Sequence, residues 1–234
     1  MDPSLRVAVL QSNYLPWKGY FDLIHDVDLF VFYDDVQYTK NDWRNRNRIK
    51  TVNGEQWITI PIGSGHGVRI DQIQLERHDW QRKHWESIRQ GYAKAPHFSR
   101  YKSFFEDLYL GRTWQRLSEL NQYAIKTISA EFLGARVQFA CSDAYKLQGG
   151  KQERLLNLLQ VLGATEYLSG PAGRAYIDEA QFAARGIRLS YKSYDDYPAY
   201  PQQSGPFNHY VSVVDLLFMT GDEAPSYIWG QRLR

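Results

Sequence analysis

An α/β fold built on a parallel sheet is what this sequence predicts, and three observations carry it. Leu5 to Gln11 is an apolar run broken only by Arg6, and Asp28 to Tyr33 is a second. Between them, the segment from Gly19 to Asp26 sets Tyr20, Leu23, Ile24 and Val27 at the spacing of a short helix. Continuous apolar runs fit strands covered on both faces. A β-α-β unit with a right-handed crossover brings the Gln11 and Tyr33 ends to one edge of the sheet, where open parallel sheets hold ligands.

The remaining elements follow in order. Arg48 to Val52 and Glu55 to Pro61 read as strands joined at Asn53-Gly54, a pair that accepts the positive φ angles of a type I′ hairpin turn. Gly63-Ser64-Gly65-His66-Gly67 reads as a mobile loop, because no Lys-Ser/Thr pair or apolar helix follows to make it a phosphate loop. Asp79 to Gly134 reads mainly helical: Trp80, His84, Trp85, Ile88 and Tyr92 share one face, and Leu117, Leu120, Ala124, Ile125 and Ile128 another. Val137 to Ala140, Glu166 to Leu168 and Ile187 to Tyr191 read as further strands. Lys151 to Leu162 is a helix with Leu155, Leu158, Leu159 and Leu162 on its stripe, and Val211 to Met219 a helix capped at Gly221. Tyr194 to Phe207 is an aromatic, proline-containing loop. The expectation is one α/β domain over 1–234, a Rossmann-like parallel sheet carrying an inserted β-hairpin and a helical subdomain at 79–134.

Composition removes several classes of function. At 234 residues the chain can bury a substantial core. Its 28 Lys plus Arg against 26 Asp plus Glu leave no cationic excess of the kind that phosphate-driven nucleic-acid binding needs. A single cysteine, Cys141, permits no internal disulfide and no cysteine zinc cage, which fits a reducing, cytoplasmic setting. The start has no basic leader, and its apolar run is too short for a membrane span, so no membrane insertion is expected. His25, His66, His78, His97 and His209 are scattered without metal-ligand spacing, so no zinc site is expected.

Candidate chemistry gathers at the strand ends. Asp34 and Asp35 stand where the second strand releases the chain, as a general base, an amine-binding group or a magnesium ligand, or as plain loop acids. Their side chains leave on opposite faces, so one of them reaches a pocket. Arg44, Arg46 and Arg48 alternate with Asn45 and Asn47, and an extended chain would put the three guanidinium forks on one side, suited to phosphate or carboxylate. Lys18 adds a cation at a helix start. Gln11, Asn13, Tyr14 and Gln37 are polar groups that can orient a substrate. His84 is either a core histidine or a proton carrier. Ser169 and Gly170 open a glycine-containing turn that is either an approach of backbone N–H groups to an anionic oxygen or a purely structural turn. Asp215, inside an apolar helix, must either face outward or be paired, and pairing with a buried Lys or Arg is the expectation.

Gln-x-Asn-Tyr-Leu-Pro-Trp-x-Gly-Tyr-Phe at Gln11 to Phe21, Asp-Asp-Val-Gln-Tyr at Asp34 to Tyr38 and Asn-Arg-Asn-Arg-Ile-Lys at Asn45 to Lys50 together resemble the WbqC-like family. The resemblance continues through His84-Trp85, Tyr167 to Tyr176 and Ser212 to Phe218, and so covers nearly the whole chain. Ser12 stands where many relatives carry proline. The resemblance implies a place in bacterial surface-polysaccharide (O-antigen) and amino-sugar pathways. There the expected activity is acyl or aminoacyl transfer, glycyl transfer included, to the amine of a nucleotide-linked amino sugar. A more distant similarity in layout is to the nucleotidylyltransferase and pantothenate-synthetase superfamily, with Trp17-Lys18-Gly19-Tyr20 where that superfamily has His-x-Gly-His. It implies an ATP-dependent ligase working with magnesium through an acyl-adenylate. A non-catalytic protein that binds sugar nucleotides is the third expectation.

In the transferase reading, Arg46 and Arg48 hold a diphosphate or carboxylate, Gln11, Asn13 and Gln37 orient polar groups, and Asp34 or Asp35 binds or deprotonates the amine. That reading expects the opening turn, the paired aspartates and the arginines to converge on one anionic small molecule.

Overall fold

The computed structural model describes residues 4–63, 65–230 and 232, so Ser64 of the glycine-rich loop lies outside the described residues. β1 (Arg6–Leu10), α1 (Lys18–His25) and β2 (Leu29–Phe32) form the β-α-β unit, and β1 and β2 pair in parallel from Val7↔Leu29 to Leu10↔Phe32. Their apolar runs are needed because both faces of the sheet are covered: Ala8, Phe30 and Phe32 belong to one core, Val7 and Val31 to another.

A hairpin follows, with β3 (Arg46–Thr51) against β4 (Gly54–Thr59). Its turn lies one residue earlier than the sequence predicts. Thr51 pairs with Gly54, so Val52 and Asn53 make the turn, and only Gly54 takes a positive φ, of 104°. The Thr51 hydroxyl accepts from Asn53 N at 3.2 Å and donates to Gly54 O at 3.0 Å, which closes the turn without the two left-handed residues of type I′.

The helical stretch is α2 (Asp79–Tyr92), α3 (Phe98–Glu106) and α4 (Leu117–Thr127), the last two each running on into a wide π-helical turn, Asp107–Gly111 and Ile128–Phe132. These helices share the main core with the β1–α1–β2 unit and the hairpin. Next come β5 (Gln138–Cys141), α5 (Lys151–Val161), β6 (Glu166–Ser169), the short α6 (Glu179–Ala183), β7 (Arg188–Tyr191) and α7 (Val213–Thr220). On α5 the buried leucines are Leu156, Leu158 and Leu159, while Leu155 is only partly covered, so the buried stripe is rotated from the one expected. α7 has Ser212 as its N-cap and Gly221, at φ 59°, as its C-cap.

Among the described residues, five strands make one parallel sheet in the order β5-β2-β1-β6-β7. The direction of winding reverses between β1 and β6, the position at which open α/β sheets form a ligand crevice. Among the described residues β1 and β6 pair at Arg6↔Glu166 and Val7↔Tyr167, so the ladder stops short of their carboxyl ends. No described helix is long and apolar enough to cross a membrane.

Candidate functional site

The site is built around the turn that leaves β1. Leu15 sits there fully buried at φ 41°, a backbone conformation that costs a non-glycine residue free energy and persists only when its surroundings impose it. Asn47 of β3 does much of the imposing, since its Nδ2 donates to Leu15 O at 2.7 Å and to Tyr14 O at 3.2 Å. The Ser212 hydroxyl adds a bond of 2.8 Å to Leu15 O. Tyr14 N donates to Trp43 O, and Val213 N to Pro16 O, both at 2.9 Å. The opening turn, the start of the hairpin and the start of α7 are thereby fastened together.

Opposite charges flank this turn. On one side Ser12 N donates to the Asp34 carboxylate at 2.8 Å, and Gln122 of α4 donates to its other oxygen at 2.8 Å. Burial raises the Asp34 carboxyl above its ordinary value, although the bonds from Gln122 and Ser12 and the charge of Arg44 oppose the rise. On the other side Arg44 donates to Asn13 Oδ1 and, at 3.1 Å, to Gln11 Oε1. Asp35 has different partners, but the expectation that only one of the two aspartates reaches a pocket is corrected, since both line the same cavity past the end of β2. Asp35 is tied to Arg154 and Ser142, and although burial works against ionisation, those bonds and the Arg154 charge hold its carboxyl below the usual range.

The arginines do not form the single ladder expected. β3 begins at Arg46, so Arg44 belongs to the preceding turn and points to Gln11 and Asn13, while Arg46 and Arg48 share the outer face of the hairpin. There their guanidinium carbons lie 4.6 and 5.4 Å from the ring centre of Trp57, and Arg48 also pairs with Glu55 at 2.8 Å. Asn45 and Asn47 point inward. Asn45 donates to Ile60 O at 2.8 Å, and among the described residues its buried Oδ1 has no partner.

Lys18 is not at the anion side of the turn. It is 2% exposed and turned inward, donating to Tyr227 O at 3.0 Å and Pro198 O at 3.2 Å beside the rings of Tyr197 and Tyr200. Burial pulls its ammonium down to about 8 against the attraction of Asp22. His84, 6% exposed, is clamped between Tyr14 OH at 2.8 Å and Thr59 O at 3.2 Å. A carbonyl can only accept, so Nε2 carries the proton and Nδ1 accepts from Tyr14, whose oxygen also bonds to Tyr109 OH. Burial lowers His84 to about 4, only partly offset by the Thr59 carbonyl, so the imidazole is neutral at pH 7.

Gln37 is exposed and bridges to Arg69. The buried Ser169 hydroxyl packs so close to Gly173 that a Cβ there would come within 2.3 Å of it. Among the described residues Asp215 has no cation at bonding distance, which corrects the expected Lys or Arg pairing: Tyr200 OH, Tyr92 OH and Gln202 Nε2 donate to it at 2.8 to 2.9 Å.

Three cavities divide the expected residues. Asn13, Pro16, Trp17, Trp43, Asn47 and Tyr210 enclose about 260 Å³. Asp34 and Asp35 line a second of about 170 Å³ with Asp71, Glu119, Asp143 and Cys141, at the carboxyl ends of β2 and β5. Gln37 and Asn45 line a third of about 620 Å³ beside the glycine-rich loop. The sequence expectation of one shared cavity is therefore corrected: the opening turn borders the first and is bonded to the acid of the second. Among the described residues, Asp22, His25 and Asp26 have metal-ligand spacing, but Lys192 and Arg232 pair with both carboxylates.

Sequence reasoning passed over Trp43, Trp57, Tyr210 and Gln122. The first three are exposed by 41, 45 and 59%, and exposure of large rings is invisible before the fold is known. The density of Trp and Tyr was the available signal.

Comparison with known proteins gives a consistent answer. The profile of the WbqC-like protein family matches residues 11–227. The uncharacterized protein Rv1507c of Mycobacterium tuberculosis is 46% identical over 226 residues, covering 95% of this chain and 97% of that protein. No solved structure matches the chain.

Proposed function

Given that the chain belongs to the WbqC-like family, we propose that it is a transferase acting in bacterial surface-polysaccharide biosynthesis, acylating or aminoacylating the amine of a nucleotide-linked amino sugar. The observation that carries this reading is the placement of the opening turn between the buried Asp34 carboxylate and the Arg44 guanidinium. A nucleotide-linked amino sugar has the matching polarity, an amine at one end and a diphosphate towards the other. The acidic cavity around Asp34 suits the amine; Arg44 is itself held by Asn13, Gln11 and Asp42, so the diphosphate falls to Arg46 and Arg48, which follow it on the hairpin.

In this mechanism Gln11 and Asn13 fix the sugar between the two ends, so that the amine meets the acyl carbon at high effective molarity. The amine attacks, the acyl leaving group departs, and Asp34, whose carboxyl is raised by burial, takes the proton. Gln122 keeps that carboxylate in place.

The test is a thermal-shift screen with nucleotide-linked amino sugars, followed by mass spectrometry of the sugar product after addition of activated acyl donors. Stabilisation together with a product heavier by one acyl group is expected. Asp34→Asn should lower turnover by about 10²-fold with binding retained. Release of AMP and pyrophosphate from ATP and an amino acid would replace this reading with the ligase. Stabilisation without product from any donor would replace it with a binding protein.

A further inference from the structure

Resting on the nucleotide-sugar reading for the kind of ligand, we infer that the cavity enclosed by Trp17, Trp43 and Tyr210 is a nucleobase subsite. In it the base stacks on these rings while the diphosphate lies on Arg46 and Arg48.

Size and shape come first. About 260 Å³ admits one substituted ring and not a whole sugar nucleotide, so the pocket takes one part of a larger ligand. Its walls are π faces: Trp17 and Tyr210 lie 5.0 Å apart between ring centres, and Trp43 stacks on Trp57 at 5.6 Å. Flat rings on flat walls suit a base, which has two π faces to offer. The Asn13 amide lines the same space, with its oxygen taken by Arg44 and its Nδ2 turned to no partner among the described residues. That leaves a donor for a base carbonyl.

Charge decides what continues from the ring. The Trp43–Trp57 stack leads directly to Arg46 and Arg48, which sit over Trp57. Among the described residues Arg46 has no carboxylate partner, only a bond to Asn41 O, whereas Arg48 is paired with Glu55 through one terminal nitrogen. The Arg46 guanidinium, with Arg48 beside it over Trp57, complements a nucleoside diphosphate better than a neutral sugar. The exposure of Trp43, Trp57 and Tyr210 is accounted for in the same way, because a bound base covers what the chain leaves open.

Tryptophan-fluorescence and calorimetric titrations of the full chain with uridine, UDP, ADP and inorganic pyrophosphate test this. Nucleoside and nucleotide should both quench fluorescence. Trp43→Ala should weaken uridine and UDP by about tenfold or more, the loss expected for one stacking partner. Tyr210→Ala, which truncates the most exposed of the three rings, should do the same and guards against a folding artefact. The Arg46→Ala/Arg48→Ala double variant should weaken UDP while leaving uridine unchanged. Uridine affinity unaltered in both ring variants, binding of free glucosamine but of no nucleoside, or binding only to anionic phospholipid vesicles would each overturn the assignment. Nucleotide binding that behaves as described, with no acyl product from any donor, would sink the transfer reading and leave the subsite standing.

Discussion

Asn47 serves the site by holding its backbone. One side-chain amide satisfies the carbonyls of Tyr14 and Leu15 and so fixes the positive φ of a buried leucine. Asn47→Ala removes both bonds, leaving Leu15 O with only the Ser212 hydroxyl and Tyr14 O without its side-chain donor, and should cost about 1 to 3 kcal/mol in urea unfolding. Asn47→Asp, which keeps the shape but reverses the role from donor to acceptor, should rescue none of it. In the sequence this residue reads as one more planar donor in an arginine-rich run, because nothing local shows which face of β3 turns inward. Asp34 was legible, since a carboxylate just past an apolar strand lands at the sheet edge. The alternation expected to send only one of the two aspartates into a pocket did not apply, because both lie past the end of β2 and line the same cavity.

His84 gives a pH dependence with a definite sign. Burial lowers its folded value to about 4 from 6.5, so between those values the unfolded chain binds the extra proton and stability is lost as pH falls. The contribution is fully present above pH 6.5 and declines through the window down to pH 4, by roughly 3 kcal/mol in all. Urea midpoints of the wild type and His84→Gln at pH 7 and pH 5 provide the check. The wild type should lose more stability than the variant on acidification, and equal losses would show that His84 is not the group responsible.

At the scale of elements, the start of α1 sets the wall of the aromatic cavity. Trp17 precedes the helix and folds back over Gly19, where a Cβ would stand 2.2 Å from the indole. Gly19→Ala favours the helix by up to about 1 kcal/mol. It should nevertheless displace Trp17, which packs against the main core, so the helix gain is offset and ligand affinity is reduced. Unchanged binding would mean that the ring has another place to go.

The loop from 194 to 210 is the second such element. Two buried lysines hold its backbone, Lys18 at Pro198 O and Lys50 at Pro206 O (2.7 Å) and Ser204 O (3.2 Å), while Tyr200 reaches Asp215. Lys50→Met should leave these carbonyls without their donor and expose the loop to limited proteolysis, with the parallel sheet still protected. The aromatic richness of this loop is plain in the sequence. Its anchoring is not, because the lysines come from residues 18 and 50 and meet the loop only after folding.

For the whole molecule, the first two strands, their helix and the hairpin were readable because each has a local period or turn signal. The winding order was not. Whether β6 docks beside β1 or outside β5 depends on contacts between residues some 160 positions apart, such as Leu5 with Thr165. Only that docking sets the reversal of winding between β1 and β6. The arginines were misjudged for a related reason: a ladder presumes one strand, and the chain starts its strand at Arg46. What the sheet edge joins is a turn bonded to an acid on one side and to a guanidinium on the other.

Hydrogen–deuterium exchange on the full chain, with and without a UDP-linked amino sugar at a concentration that shifts its melting temperature, tests this account most directly. Protection is expected over residues 11–17, 43–48 and 208–212, the three segments that meet at the opening turn. Protection confined to residues 61–77, around the glycine-rich loop, would contradict the account.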